Sequence, residues 1–289
     1  MKRSELRFLN AMSIFGTIGI FIRYIPLSSA AVAFSRGVLG LIFLAAVMFF
    51  TKNKPDSAAI KRNLLILLVS GAAMGFNWIL LFESYKHTTV AIATVCYYLA
   101  PLLLLLASPL LGERLTAKNI LCVCVALIGL VLVSGVTETG IPAFHELQGI
   151  LFGLGAAVLY ACVMFLNKKL SPISAYDKTI LQLGSSAIVV LPYILLTESA
   201  AIPTLTWPQW LLLVVVGIVH TGLAYVLYFG SLKELKAHTV AIFSYLDPVV
   251  AILLSAVLLR ESMTVANIIG TILILGGALF SQLPEKSHK

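Results

Sequence analysis

The sequence predicts an all-α membrane protein of ten transmembrane helices, built as a five-plus-five inverted-topology repeat. Three observations lead there: a composition too poor in charge for water, apolar runs of spanning length, and an echo between the two halves. The 289 residues are 60% apolar and 11% charged, with a mean hydropathy of +1.02, whereas soluble domains carry about 25% charged residues. A globular enzyme or a nucleic-acid module is thereby excluded. A helix needs about 20 apolar residues to cross the hydrocarbon, so ten spans use roughly 200 positions and leave no separate soluble domain.

The apolar runs fall at 8–22, 29–50, 63–85, 89–111, 119–136, 149–167, 178–197, 209–231, 238–259 and 266–283. The start, MKRSELR, has the basic character of a signal peptide. It lacks a small-residue cleavage site and is followed by span after span, so it reads as the approach to a first helix. With the N-terminus in the cytoplasm, sixteen of the 20 Lys and Arg fall on the inner side. The outer segments hold only Arg23, Lys86 and Arg260, Arg36 lies within a span, and the loops at 137–148 and 198–208 hold none. This bias satisfies the positive-inside rule and requires an even helix count, with both termini cytoplasmic. The net charge of +8 is spread over the loops rather than clustered on one face, so no nucleic-acid partner is expected.

Laying the halves over each other at an offset of about 147 aligns Phe82 with Phe229, Ser84 with Ser231, and Tyr98-Leu99-Ala100-Pro101 with Tyr245-Leu246-Asp247-Pro248. At an offset of 148, Glu113, Thr116 and Asn119 meet Glu261, Thr264 and Asn267. Thr-Val-Ala-Ile occurs at both 89–92 and 239–242. The repeats divide at 1–137 and 138–289. An odd number of helices per repeat forces the second to enter the membrane in the opposite sense, the arrangement of secondary transporters with a midplane site.

These features, together with Phe34-Ser35-Arg36 early in the second span, a proline midway along spans four and nine, and Gly-Glu-Arg-Leu-Thr at 112–116 echoed by Arg-Glu-Ser-Met-Thr at 260–264, resemble the drug/metabolite transporter superfamily, EamA type. The resemblance covers essentially the whole chain. It implies the ten-helix fold and transport of a small metabolite, and it leans toward export.

The residues themselves nominate a site. Pro101 and Pro248 each remove a backbone hydrogen bond, freeing the carbonyls of Tyr97 and Ser244. Hydrocarbon cannot satisfy a freed carbonyl, so the two prolines are expected to act as hinges beside a cavity. Asp247 is the one carboxylate near mid-span, and His220 lies at a similar depth. Charged residues at the midplane are costly and mark ion or substrate paths, so both are proton-coupling candidates. Arg36 and Glu83 fall at comparable depth on antiparallel helices and are expected to form a structural ion pair; alternatively, Arg36 captures a substrate carboxylate. Asn77, Trp78, Tyr97, Tyr98, Gln182, Tyr225, Ser244 and Tyr245 complete the substrate-binding candidates, as groups suited to stacking, cation–π contact and hydrogen bonding.

Gly71-x-x-x-Gly75, Gly149-x-x-x-Gly153 and Gly270 with Gly276 and Gly277 should let helices approach closely. Glu113 and Glu261, beside Arg114 and Arg260, read as solvated interfacial charge. The four cysteines, Cys96, Cys122, Cys124 and Cys162, lie in apolar runs with no metal-binding spacing and read as small core residues. No cofactor or metal is expected. The expected partners are a small-molecule substrate, membrane lipids and protons.

The function that follows is a secondary transporter of the cytoplasmic membrane, moving an amino acid, amine or related solute by alternating access and exporting it. The alternatives are a proton-coupled importer of an amine, an integral membrane enzyme acting on lipids, and a passive channel. No His-Glu-x-x-His or Gly-x-Ser-x-Gly set appears to support the enzyme, and no Walker motif to support an ATP-driven pump.

Overall fold

The structure, a computed structural model, describes residues 3–112, 115–135, 144–198, 204–232 and 234–283. Glu113, Arg114, Lys233 and the tips of the loops after the fifth and seventh spans lie outside the described residues. All described regular elements are helices. The first three spans are α1 (Arg3–Arg23), α2 (Ser29–Phe50) and α3 (Ser57–His87). The fourth is divided into α4 (Val90–Tyr97) and α5 (Ala100–Leu106), closed by a 3₁₀ turn at Ser108–Leu111. There follow α6 (Ala117–Val133), α7 (Phe144–Lys168) and α8 (Ala175–Thr197). The eighth span comprises α9 (Trp207–Gly217), a π-helical segment (Ile218–Leu223) and α10 (Ala224–Leu232). The ninth is divided into α11 (Ala237–Ser244) and α12 (Leu246–Leu258), and α13 (Val265–Gln282) is the tenth. Seven spans are long and apolar enough to cross a membrane as one helix; the fourth, fifth and ninth are shorter apolar helices.

Local chemistry explains the ends. Asp56 accepts hydrogen bonds from the amides of Ala58 and Ala59, 3.0 Å each, and so starts α3 one and a half turns before the apolar run begins. The Thr-x-x-Asn echo is the same cap used twice. Thr116 accepts from the Asn119 amide and Thr264 from the Asn267 amide, opening α6 and α13 alike. The Thr-Val-Ala-Ile echo is not repeated structurally, because Thr89 caps α4 whereas Thr239 lies inside α11.

Packing follows the small residues. Helix α3 runs against α7 and α8, α2 against α8, α1 against α10 and α12, and α6 against α13. A Cβ on Gly71 would lie 2.6 Å from the Gln182 carbonyl oxygen, and one on Gly153 3.0 Å from the Cys96 Cβ, so both expected glycine pairs sit at close crossings. Gly276 has open space instead and belongs to no such contact. Two cysteines, Cys124 and Cys162, are exposed on the outer surface rather than packed inside, because their helices turn those positions away from the bundle.

The α6–α13 crossing is close from both sides. A Cβ on Gly129 would meet the Gly270 carbonyl oxygen at 2.7 Å, and one on Gly270 would meet the Gly129 carbonyl oxygen at 2.5 Å. The obstacle in both directions is backbone, which cannot swing aside. Gly129→Val is therefore expected to cost the 1–3 kcal/mol typical of overpacking. It should lower the apparent melting temperature in detergent while leaving substrate selectivity unchanged.

Candidate functional site

The two breaks fall where a carbonyl would otherwise await a proline nitrogen. Pro101 and Pro248 have no N–H to close the preceding turn. Helix α4 stops at Tyr97 and α5 restarts at Ala100, while α11 stops at Ser244 and α12 restarts at Leu246. The interruption thus precedes each proline by about one turn, and it delivers Tyr98 and Tyr245 to matching junctions.

The junctions meet through side chains. The Tyr98 hydroxyl donates to Asp247 Oδ2 at 2.6 Å, bonding the fourth span to the ninth. The rings of Tyr98 and Tyr245 lie 6.1 Å apart, and the Tyr245 hydroxyl accepts from Gln282 at 3.3 Å. Tyr97 stacks on Tyr160 at 5.1 Å with an interplanar angle of 16°. Tyr97, Tyr98, Tyr225 and Asp247 are only half-buried. Tyr160 is 37% exposed, yet it stacks on Tyr97 and lies within electrostatic reach of Asp247, Tyr225 and Tyr228. These partly exposed polar groups come from the fourth, sixth, eighth and ninth spans.

Arg36 borders this cluster. It is 6% exposed. Its Nε donates to Thr221 Oγ1 at 2.7 Å, and its guanidinium lies 4.1 Å from the centre of the Trp78 ring. Among the described residues no carboxylate pairs with it, and its terminal nitrogens meet no hydrogen-bond acceptor. The expected Arg36–Glu83 ion pair does not form. Glu83 binds Lys86 at 3.2 Å and approaches His87 at 3.7 Å, both on its own helix. Arg36 instead meets Trp78, five residues before Glu83 on α3, so the two charges are separated by about a turn and a half of that helix and lie on different sides of it.

Thr221 is positioned by the π-helical segment. Its hydroxyl donates to the Val216 carbonyl at 3.2 Å, and Nδ1 of His220 lies 3.3 Å from the Val215 carbonyl, each reaching five residues back. That is the π spacing, and such segments often occur at functional sites. His220 is 1% exposed, bonds Thr17 Oγ1 of α1 through Nε2 at 2.8 Å and meets the Phe21 ring edge-on at 4.7 Å. It is a fully bonded core imidazole that ties α1 to the eighth span.

The amide candidates sit in the bundle wall. Asn77 donates to the Ala156 carbonyl at 2.5 Å and its oxygen faces the Tyr97 hydroxyl at 3.5 Å. Gln182 donates to Ser70 at 2.7 Å and to Asn167 at 2.8 Å, tying α8 to α3 and α7. The Ser244 hydroxyl returns to the Val240 carbonyl at 2.8 Å. These donors are already engaged in helix-to-helix or within-helix bonds. Sequence reasoning missed Thr221. A threonine beside a mid-span histidine was the only available signal for it.

Comparison with known proteins fits this architecture. The sequence profile of the EamA-like transporter family matches residues 3–135 and again residues 147–282. The chain belongs to the EamA-like transporter family. An uncharacterized transporter, YxxF, of Bacillus subtilis (strain 168) is 32% identical over 275 residues, covering 94% of this chain and 87% of that one. The aromatic amino acid exporter YddG of Ancylobacter novellus is 27% identical over 218 residues, 74% of each chain. A solved crystal structure covers 96% of this EamA-like chain and 96% of its own, with a TM-score of 0.63 and 21% identity, a likeness of fold. The chain is a membrane-spanning transporter.

Proposed function

We propose that this transporter carries a small amino acid or related amine-bearing metabolite across the cytoplasmic membrane by alternating access, in the direction of export. The observation that carries this reading is the bond between Tyr98 and Asp247 at the junction of two broken spans, near a buried guanidinium that forms no ion pair with a carboxylate. An ammonium and a carboxylate on one solute would meet Asp247 and Arg36 respectively, while its body would lie among Tyr97, Tyr98, Tyr160 and Tyr225. The double match of the family profile supports two five-helix halves, and the odd count per half makes them inverted. The likeness to the aromatic amino acid exporter of Ancylobacter novellus supports amino acids and export.

Direction follows from which group exchanges the proton. If the substrate ammonium and a proton compete for Asp247, inward proton flow expels substrate, because one site cannot hold both. An importer would need both bound together, and among the described residues this cluster offers one acidic group, Asp247, for the task. The test is counterflow in proteoliposomes loaded with single amino acids or amines under an imposed pH gradient. Efflux driven by an inward proton gradient is the expected result. Proton-driven accumulation would establish import, and flux indifferent to pH would leave a passive carrier.

A further inference from the structure

Glu261, expected from its sequence position to be solvated, is one of the most fully engaged side chains in the structure. Its carboxylate is 10% exposed. Oε1 receives Arg23 Nη2 at 2.7 Å, and Oε2 receives the backbone amide of Val90 at 2.9 Å. Arg23 Nη2 also donates to the Thr88 carbonyl at 2.8 Å. One carboxylate therefore joins the end of α1, the first turn of α4 and the loop between α12 and α13. The Val90 amide belongs to the unsatisfied, positive end of a helix, where an anion is favoured.

Two further observations make this contact a closure rather than a surface pair. Below it α1 is pressed against both broken spans: a Cβ on Gly19 would lie 2.5 Å from Val90 Cγ1, and one on Gly16 would lie 2.5 Å from the Asp247 carbonyl oxygen. α1 therefore touches the fourth span at Gly19 and the ninth at Gly16. The residue before Glu261 is Arg260, held at φ 55°. A left-handed non-glycine residue costs about 1–2 kcal/mol, and such strain collects at sites where a switch needs it. Its counterpart in the first half is Gly112, at φ 78°, so both loops make the same turn and only the second is strained. A cavity of about 500 Å³ lined by Arg23, Thr88, His145 and Glu261 opens on the outer side of the contact.

We propose that Glu261 is the bolt of a gate that closes this mouth of the chamber and must release Arg23 and Val90 for the mouth to open. This rests on the alternating-access reading and adds to it the residues that close one mouth.

The test uses the full chain in proteoliposomes, with the native cysteines replaced and Tyr98→Cys as a reporter in the chamber, labelled by a membrane-impermeant maleimide from one face at a time. Glu261→Gln and Arg23→Gln are each expected to raise labelling from the Arg23 face by about fivefold and to lower labelling from the other face. An unchanged ratio in both variants overturns the bolt and leaves alternating access standing. Labelling from both faces at once in the parent protein overturns alternating access itself.

Discussion

Asp247→Asn is expected to abolish transport driven by a pH gradient, lowering it about 100-fold or to background, while counterflow of a substrate that lacks an amine persists. Asparagine keeps the size of the side chain and can still accept from Tyr98, so the bond between the fourth and ninth spans need not break. What is lost is the ability to take and release a proton, and with it the competition between proton and ammonium. Tyr98→Phe makes the complementary test. Its hydroxyl donates to Asp247 at 2.6 Å, and a hydrogen bond to a charged group contributes about 1.5–3 kcal/mol. That variant should slow transport roughly 10- to 100-fold and yet keep its dependence on the proton gradient, because the carboxylate remains. Initial rates in proteoliposomes with and without an imposed gradient separate the two outcomes. Pumping at the parent rate by Asp247→Asn would remove Asp247 from the coupling step.

The spans and the breaks at Pro101 and Pro248 were legible because they depend on two local properties, hydropathy and the missing N–H of proline. So was the Thr-x-x-Asn echo, which the structure resolves into a repeated N-cap at Thr116 and Thr264. Direction around a helix was not legible. Depth along the membrane can be counted from a sequence, and on that count Arg36 and Glu83 were matched; azimuth depends on which helices become neighbours. The π-helical segment at Ile218–Leu223 has no local signature, since it is held by side chains of His220 and Thr221 and by contacts with α1 and α2. Glu261 was misjudged for a related reason. A carboxylate at a helix end faces solvent by default, and only folding places the first turn of α4 and the end of α1 against it.

Arg36→Gln is expected to remove transport of carboxylate-bearing substrates without unfolding the protein, and the pairing of those two results is what identifies its role. A structural arginine in a membrane bundle is bonded on most of its donors, and its removal strands the partners. Arg36 instead spends Nε on Thr221 and its face on Trp78, and Asp247 offsets its charge only from a distance, without an ion pair. A buried charge so weakly compensated opposes folding, so Arg36→Gln should leave the apparent melting temperature unchanged or raise it, a trade of stability for function seen at binding sites. Truncating one partner of a buried charge pair costs about 2–5 kcal/mol of binding, so affinity for a carboxylate should fall at least about 30-fold. Arg36→Lys should recover only part of it, because a point charge replaces a planar fork that also stacks on Trp78. Glu83→Gln should change transport less than about twofold, since Glu83 pairs with Lys86 at the surface, where ion pairs contribute about 0–1 kcal/mol. For the same reason Arg36→Glu combined with Glu83→Arg should give no rescue. Thermal stability and uptake measured on the same preparations decide the matter: loss of both together in Arg36→Gln would make the arginine a strut of the bundle and return the carboxylate site to some other residue.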